Sequence, residues 1–574
     1  MIIPMTKYSF LLLSSDKEAF MEKLQDLGVV DISRSAKPVD DVSRCIVSEI
    51  EGVREEIKSI TNCSNARTDA LKARRDELAR SLDEARPWGE YDRDRLLALG
   101  VKFYRISRKA YRPEWEESYA IQIVSESKDD VWFAVVGDSE GFPVKEIPMP
   151  QRKASEIEAE IAVTDDALQK EINGLNSRKS EIPALEQKIE SLYKKLNIYL
   201  AEVSGQSAAE DALLIYQGFA PTSDDSRLKE AFDAMDIYYI AEKARAEDNP
   251  PIQLRNNSFS KQFEVLTRMY GMPAYNEFDP TIFLSIFFLL FFAMCLGDAG
   301  YGLALIGIGL FLRRKQGGLA NMWSLIVSLG AGTVVVGLLM GGFFGINLVE
   351  QAWVPDWMKK FMIVGDVNVG GASYAKWMIL SLLIGIVHIC LAMITKTVWA
   401  VKRDGFKNSL GTLGWTLLIV GGIIGLSVGL TGVISETAMK WLLIGIAAVS
   451  ALGIYFFNKW GRNPLVNFGS GLWDTYNTVS GLMSDVLSYI RLYALGLSGS
   501  MLGSTFNQIA EMVKGTDPTW QWVPFVLILV LGHVLNIGLS CLGAFVHPLR
   551  LNFLEFFKNS GYEGTGTEYS PIKR

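Results

Sequence analysis

Several common signatures of soluble enzymes are missing from this 574-residue sequence. It has five cysteines and no CxxC pair, which argues against a disulfide framework and against a structural zinc site. It has no G-x-x-x-x-G-K-[ST] motif, so we do not expect the chain to hydrolyse nucleotide by itself. The net charge of -7, with no stripe dense in Lys and Arg, argues against nucleic acid as a partner. We therefore expect no cofactor, no metal site and no stand-alone catalysis.

Apolar residues are abundant but unevenly distributed. The chain is 49% hydrophobic and 21% charged; residues before about 262 are rich in Glu, Lys, Arg and Asp, whereas long apolar runs dominate from Pro280 to Phe557. The apolar stretch near Met1 is too short for a signal peptide. The sequence predicts a cytoplasmic domain, residues 1–262, followed by a membrane domain, residues 263–574.

The membrane half predicts an all-α polytopic domain of about eight helices. The apolar segments are 281–296, 299–313, 320–346, 372–398, 411–432, 437–457, 471–512 and 521–557. Positive charge concentrates in the loops after the second, fourth and sixth segments, at Arg313-Arg314-Lys315, at Lys402-Arg403 with Lys407, and at Lys459 with Arg462. The positive-inside rule then predicts a multi-pass protein of the cell membrane with cytoplasmic N- and C-termini.

The cytoplasmic half has two heptad-like apolar seams, which predict coiled-coil arms at 41–86 and 151–200. The segment between them, 87–150, contains strand-like runs and predicts a distal α/β lobe. Residues 1–40 and 201–262 predict a proximal α/β lobe. The fold class expected is mixed: an antiparallel coiled-coil hairpin with two α/β lobes, followed by the membrane helices. Since a plain spacer needs no folded lobes at both ends, we interpret this half as an elongated docking arm.

One arginine, Arg491, lies in the middle of the seventh apolar segment. A cation at a helix centre costs about 2.5–3.5 kcal/mol even on the insertion scale, so it needs a charged partner or a wet cavity. About 20 residues of helix on either side put roughly 30 Å between Arg491 and a headgroup layer, which argues against simple snorkelling. At about 100° per residue, the polar residues near it share one face within roughly 60°. They are Asn477, Ser484, Ser488, Arg491 and Ser498. Asp485 points about 120° away from that face and lines another part of the path or bonds a neighbouring helix.

The eighth segment has a second polar stripe. Its members follow spacings of three, four, seven and three: His533, Asn536, Ser540, His547 and Arg550. Polar groups in the hydrocarbon core must face the bundle interior, a partner or water, so both stripes predict an ion path. Arg550 is closer to the predicted cytoplasmic end, where snorkelling is an open alternative. Asp298 lies in a glycine-flanked turn, where a helix N-cap is favoured over an ion contact. His388, alone on the fourth segment, is interpreted as a packing residue.

Four motifs carry a resemblance to a known family. They are Ser488-Tyr489-Ile490-Arg491-Leu492-Tyr493-Ala494-Leu495, His547-Pro548-Leu549-Arg550-Leu551-Asn552-Phe553, Asp279-Pro280-Thr281 and Gly297-Asp298-Ala299-Gly300-Tyr301-Gly302. Together they resemble subunit I of bacterial and archaeal V-type ATP synthases, the counterpart of subunit a of eukaryotic vacuolar ATPases. The resemblance covers essentially the whole chain.

The resemblance implies a stator subunit of a rotary motor. Its partners would be a ring of proteolipid (c or K) subunits, peripheral stalk subunits of the E and G type, an adaptor between central stalk and ring, and the lipid membrane. Arg491, with Arg550 beside it, would separate two offset half-channels. Eukaryotic relatives carry glutamate where this sequence has Asn477 and Ser540, so proton relay through waters with His533 and His547, or a sodium route, stays open.

Two other classes of protein fit the sequence less well. A secondary ion-coupled transporter would show paired repeats with broken helices, and no such symmetry relates helices one to four with five to eight. A membrane-anchored coiled-coil signalling protein would not need Arg491 in a polar stripe.

Overall fold

A computed structural model of the chain describes residues 1–34, 39–137, 142–148, 151–208, 212–235, 237–314, 322–369, 372–430, 435–457, 464–514 and 522–573. Lys315, Lys459 and Arg462, used above for orientation, lie outside these ranges. The protein is mostly helical with small sheets. It divides into two compact units: Met1–Ser33 with Ser204–Arg574, and Arg34–Val203.

The described strands are, in chain order, β1 (Met5–Leu13), β2 (Asp31–Ile32), β3 (Lys102–Ser107), β4 (Ile121–Glu126), β5 (Asp130–Val135), β6 (Glu146–Ile147), β7 (Gln206–Ala208), β8 (Leu213–Pro221), β9 (Tyr238–Lys243), β10 (Gly342–Phe343), β11 (Ile346–Asn347), β12 (Asp366–Val369) and β13 (Ala372–Ala375).

The described α-helices are α1 (Lys17–Leu27), α2 (Asp41–Asn62), α3 (Ala66–Ala85), α4 (Arg93–Ala98), α5 (Trp115–Ser118), α6 (Ala154–Ser177), α7 (Ile182–Val203), α8 (Asp225–Asp233), α9 (Ser258–Lys261), α10 (Glu264–Tyr270), α11 (Thr281–Leu296), α12 (Ala299–Leu312), α13 (Trp323–Met340), α14 (Asp356–Lys359), α15 (Lys376–Asp404), α16 (Leu410–Thr416), α17 (Gly422–Leu430), α18 (Glu436–Ala451), α19 (Pro464–Ser488), α20 (Ile490–Lys514), α21 (Trp522–Arg550) and α22 (Phe557–Ser560).

In the unit Arg34–Val203, the helices pack in two pairs. Helix α2 packs along α7, and α3 packs along α6. The first pair buries an apolar seam made of Ile46, Ile50, Val53, Leu192, Leu196 and Leu200. Each predicted continuous arm is broken into two helices. The first break follows from Cys63, whose φ is 49°, and from a capping box in which Asn65 and Thr68 start α3. The second falls at a 3₁₀ turn just before Pro183, which suits only the first turn of a helix.

The same unit holds a four-stranded antiparallel sheet with the order β4-β5-β3-β6. The alternating side chains of β5 place Phe133 in a fully buried position, stacked against Tyr104 of β3. On the other face, Phe103 stacks on Trp88, whose ring centroid is 4.4 Å away. Both faces of the sheet are therefore covered by aromatic residues.

In the other unit, a five-stranded sheet joins the start of the chain to residues after position 205. Strand β1 lies between β8 and β9 and pairs antiparallel with both. The inward residues of β1 include Phe10, which contacts Phe20 of α1 and Phe232 of α8. Residues after α22 join this sheet region, since the amide of Ile572 donates to the carbonyl of Val30 at 3.2 Å.

The apolar helices that follow belong to the same unit. Within the described ranges, five helical stretches are long and apolar enough to cross a membrane, and α11 and α12 are shorter apolar helices. The five are Trp323–Met340, Lys376–Asp404, Leu410–Gly429, Glu436–Phe456 and Trp522–Ser560. Helices α12 and α13 approach closely, and the missing Cβ of Gly302 permits this. A Cβ there would lie 2.9 Å from the carbonyl oxygen of Gly330. The number of crossings, eight, stays a prediction.

Candidate functional site

Arg491 lies two residues after a break in the predicted seventh helix. Helix α19 ends at Ser488 and α20 begins at Ile490, with Tyr489 between them. The Tyr489 ring is fully buried, and a Cβ on Gly385 of α15 would lie 2.3 Å from its Cγ atom. The Tyr489 hydroxyl lies 2.9 Å from Nδ1 of His388, also on α15. The Tyr489 ring therefore packs at the break against α15, at a position where only glycine leaves enough space.

The guanidinium of Arg491 is half-buried, and its Nη1 atom is buried with no hydrogen-bond partner among the described residues. A buried charged donor without a partner is costly, so most native structures provide one. The partner of Arg491 is thus not found in the described part of this chain.

Of the other members of the first stripe, Ser498 lies on α20 and three lie in the second half of α19. Asn477 and Ser484 are exposed, and the Ser488 hydroxyl donates to the Ser484 carbonyl at 3.1 Å. Asp485, which the sequence places off this face, is buried, accepts from Asn559 Nδ2 at 2.8 Å and forms an ion pair with Lys558, whose Nζ lies 3.8 Å away. It therefore bonds the short helix α22, the second of the two roles predicted for it.

The second stripe divides into two groups along α21. His533, Asn536 and Ser540 belong to one hydrogen-bonded network, in which the Ser540 hydroxyl donates to Asn536 Oδ1 at 3.1 Å. His547 is half-buried, with Nδ1 lacking a partner within the described ranges, and Arg550 is exposed. The structure does not join His547 to the network of His533.

The network around Asn536 has a direction. Asn536 Nδ2 donates to the Tyr301 hydroxyl at 2.7 Å and to the Gly499 carbonyl at 2.9 Å. The Tyr301 hydroxyl is then the donor to His533 Nδ1, 2.8 Å away. His533 Nε2 lies 3.0 Å from Asn507 Oδ1, which makes it the donating nitrogen of a neutral imidazole. The network links α12, α20 and α21 without an ionised group.

Asp298 holds Tyr301 in place. As predicted, it caps α12: its Oδ1 accepts from the amides of Gly300 and Tyr301 at 2.8 and 3.2 Å. It also accepts from the amides of Phe344 and Gly345, both at 2.8 Å. A buried carboxylate that satisfies four backbone donors fixes the turn before α12 against the loop after α13.

Two cavities border α19 and α20. The larger, about 670 Å³, is lined from the carbonyl end of α13 to the far end of α20 and includes Tyr493, Ser504 and Glu511. The smaller, about 280 Å³, is lined by Asn477, Asp485 and residues of α15 and α22. Arg491 follows the α19 residues that line the smaller cavity and precedes the α20 residues that line the larger one.

Two residues of this region were missed by sequence reasoning. Tyr301 lies inside a recognised glycine motif, but the spacing of the residues around it does not predict its contacts with α20 and α21. Glu555 is buried on a π-helical turn, Leu551–Phe556, where residues five apart align. At about 100° per residue it would lie about 140° from Arg550, off the stripe. In the structure it lies near Arg550 and Asp485 and hydrogen-bonds with Ser488.

The cavities and stripes contain no cluster of three or more His, Cys, Asp or Glu side chains arranged to bind a metal ion, and none occurs in the rest of the described chain. What the arrangement offers is a half-buried arginine that follows the α19 residues of one cavity and precedes the α20 residues of the other.

Comparison with known proteins gives consistent matches. The V-type ATPase 116kDa subunit family matches residues 122–346. A-type ATP synthase subunit I of Methanocaldococcus jannaschii is 28% identical over 536 residues, covering 88% of this chain and 73% of that protein. V-type ATP synthase subunit I of Borreliella burgdorferi is 25% identical over the full length of both chains, and that of Chlamydia trachomatis is 25% identical over 97% of this chain and 93% of its own. With its apolar helices the chain is a membrane protein, and over most of its length it is similar to V-type and A-type ATP synthase subunits I.

Proposed function

We propose that this chain is the stator subunit in the membrane sector of a rotary V-type ATPase or ATP synthase. In this role it forms two ion half-channels, for protons or Na⁺, against a ring of proteolipid subunits, and it anchors the peripheral stalks. The names of its relatives support the assignment to an ATP synthase. The domain boundaries, eight crossings and cytoplasmic termini predicted above are part of this proposal.

The observation that carries the proposal is the unpartnered Nη1 of Arg491. A ring subunit that presents a carboxylate would supply the missing partner. A nearby positive charge favours the ionised form of a carboxylate, so the passing ring site would release its cation opposite Arg491. Because Arg491 keeps its charge, the cation could not cross directly from one cavity to the other.

The two cavities support separate access from the two sides of the membrane. The lining residues of α19 precede Arg491 and those of α20 follow it. A cation that enters through one cavity would therefore have to travel with the ring before it leaves through the other. This coupling of rotation to transport is what a rotary motor requires.

The surface of α21 supports contact with an apolar partner. It exposes Val534, Leu535, Leu539, Leu542 and Val546. A polytopic helix with an exposed apolar face and a polar stripe beside it suits a ring of apolar helices surrounded by lipid. Arg550, exposed at the end of the same helix, would face the ring near Arg491.

The test is Arg491→Ala in the complete complex, reconstituted in liposomes and supplied with ATP. We expect an assembled complex without ATP-driven ion uptake. Arg403→Ala is the matched control, since Arg403 lies at the end of α15 and pairs with Asp404 at 3.0 Å. Normal coupled uptake by the Arg491→Ala complex would reject the proposal. Uptake measured with and without Na⁺, in the presence of a protonophore, identifies the cation.

A further inference from the structure

Three large aromatic side chains lie exposed on the segment that connects α13 to α15. The side chains of Trp353, Trp357 and Phe361 are 67, 65 and 70% exposed. Aromatic rings are among the largest apolar groups in proteins, and a cluster of exposed ones marks a surface that contacts another protein or a membrane. These three rings therefore point to a partner outside the described chain.

The exposure of the three rings does not come from a lack of structure. In the same segment, Leu348, Val354 and Met362 are buried together in a small apolar core. Helix α14 is continued by another turn, in which the amide of Phe361 donates to the carbonyl of Met358 at 3.1 Å. The segment thus folds with one set of apolar side chains inside and the aromatic set outside.

Two of the rings lie on the same face of this short helical stretch. Trp357 and Phe361 are four residues apart, the spacing at which side chains of a helix are neighbours. Trp353 precedes the stretch and is separated from it by the buried Val354 and by Pro355. The exposed rings therefore belong to one short, continuous stretch of chain.

The end of α13 sets the height of this stretch. The amide of Ile363 donates at 2.8 Å to the carbonyl of Leu339, which belongs to the last turn of α13. Helix α13 has 18 residues, or about 27 Å, close to the roughly 30 Å of a hydrocarbon core, so Leu339 would lie at the edge of that core. Phe361 is two residues from Ile363, a reach of about 7 Å, which is the thickness of a headgroup layer.

The side chains of this stretch have the chemistry of a membrane boundary. Tryptophan is enriched there because its ring is apolar and its N–H is polar. Between Trp353 and Phe361 the sequence has two lysines, Lys359 and Lys360, and one acid, Asp356, which leaves a net positive charge. Lysine side chains can reach lipid phosphates while neighbouring apolar groups insert more deeply.

We propose that Trp353, Trp357 and Phe361 form an interfacial membrane anchor. The rings insert among the glycerol groups and upper acyl chains of phospholipids, and Lys359 and Lys360 contact the phosphates. A lipid surface is favoured over a protein partner because aromatic and basic side chains occur together at the height where a membrane-spanning helix ends. This inference does not depend on the proposed function.

The anchor has a consequence for the larger cavity. Other residues of the connecting segment, among them Glu350, Ile363 and Asp366, line that cavity, whereas the three aromatic residues do not. Insertion of the rings into the lipid boundary therefore holds this wall of the cavity at a fixed depth in the membrane.

The first experiment identifies what the rings contact. A diazirine-bearing phenylalanine replaces Trp353, Trp357 or Phe361, one position at a time, in the complete complex reconstituted in liposomes of phosphatidylcholine and phosphatidylglycerol. After illumination, mass spectrometry identifies each adduct and its position on the lipid. Leu383, exposed further along α15, is the control for deep lipid contact, and Val163, exposed on α6, is the control for water contact.

We expect phospholipid adducts at all three aromatic positions, attached to the glycerol group or the upper acyl chain. Leu383 should label the acyl chain farther from the glycerol, and Val163 should give no lipid adduct. If one photoreactive variant does not assemble, the other two positions decide the result.

The second experiment separates lipid contact from packing within the chain. Trp357→Ser and Trp357→Phe are compared with wild type in bilayer nanodiscs by hydrogen exchange of the backbone amides from 355 to 363. The serine variant should lose protection, because it has no ring to insert, and the phenylalanine variant should keep most of it. Val163→Ser is the matched control and should leave the exchange of α6 unchanged.

The outcomes decide the proposal directly. Lipid adducts at the glycerol or upper acyl chain, with loss of protection in Trp357→Ser, support the anchor. Adducts with another subunit or with a second copy of this chain, adducts with the headgroup alone, or no adducts at all would overturn it when Leu383 labels lipid. Equal exchange in Trp357→Ser and wild type would also overturn it.

Discussion

The hydroxyl of Tyr301 lies 2.8 Å from Nδ1 of His533, a contact between two helices that are 232 positions apart in the sequence. The same hydroxyl accepts from Asn536, so one phenol group supplies a partner to two side chains of α21. It positions the polar stripe of α21 relative to the short helix α12.

Tyr301→Phe should therefore destabilise the membrane part. The change leaves His533 Nδ1 without a donor and Asn536 Nδ2 with one acceptor fewer, at a cost of about 1–3 kcal/mol for a buried group left unsatisfied. Thermal unfolding in detergent measures the loss. The control is Tyr374→Phe on β13, where the side chain is exposed and the change should have no effect. Equal melting temperatures for the two variants would contradict this role for the network.

Asp298→Ala should be more severe. It removes the acceptor of four backbone amides, those of Gly300, Tyr301, Phe344 and Gly345. Each orphaned donor costs about 1–3 kcal/mol, so we expect little folded protein by size-exclusion chromatography. Asp298→Asn keeps one carbonyl oxygen and should recover part of the yield. Wild-type yield from the alanine variant would show that these contacts are dispensable.

Gly385→Ala should displace Tyr489. The added Cβ would lie 2.3 Å from the Tyr489 Cγ atom, a distance that forces the ring or the helix to move. Overpacking of this kind costs about 1–3 kcal/mol, and here it would also move the break that precedes Arg491. Coupled transport and melting temperature should both fall. Gly445→Ala on α18, where nothing lies within 4 Å of the new atom, should change neither.

The stripes were predictable from the sequence, whereas the groups that complete them were not. Ser484, Ser488 and Arg491 recur with the helical period, and so do His533, Asn536 and Ser540. Glu555 breaks that period because its turn is π-helical, and no local pattern announces such a turn. The roles of Tyr301 and His388 depend on contacts between segments that are distant in the sequence. Such contacts cannot be predicted from the local pattern of a single sequence.

The same limit applies to the N-terminal half of the chain. The apolar seam of α2 and α7 was visible as a heptad-like pattern, but the interruption at Cys63 was not predicted. Asn65 and Thr68 form the capping box that starts α3. This local signal for a new helix lies within the longer apolar seam, which by itself predicts one continuous helix. The strands β4 and β5 fall on the predicted strand-like runs, where alternation is strong.

Asp40 at the start of α2 should give this helix a pH-dependent stability. A hydrogen bond from Tyr199, and others from Ser43, hold the pKa of Asp40 below its ordinary value of 3.8. A lowered folded-state pKa means that the contribution is present above about 3.8 and is lost as the pH falls through the folded-state pKa. Hydrogen exchange of α2 amides, corrected for intrinsic rates, should separate wild type from Asp40→Asn at pH 5–7 and converge at lower pH. Asp41→Asn, an exposed neighbour, is the control; a difference that persists unchanged at low pH would count against the ionised cap.

The stalk-anchoring part of the proposed function predicts specific crosslinks. Photoreactive residues at Val124 on β4 and at Tyr238 on β9, both exposed, should recover helical stalk subunits from the assembled complex. The same group at Trp441, exposed on the membrane helix α18, should recover lipid or membrane subunits instead. No stalk subunit at either of the first two positions would argue against docking through these lobes.

The segment after α22 has a consequence for the order in which the protein folds. Tyr569 donates to the carbonyl of Val29 across 540 positions, and Ser570 donates to Asp31 at 2.9 Å across 539. Contacts between such distant residues form late, because the intervening chain must first be ordered. The contacts of this segment with Val29 and Asp31, beside the sheet that begins with β1, therefore form only after all the apolar helices have been synthesised. A chain that lacks this segment leaves Val29–Asp31 without these contacts, so the exposure of Val29–Asp31 distinguishes it from a chain that has the segment.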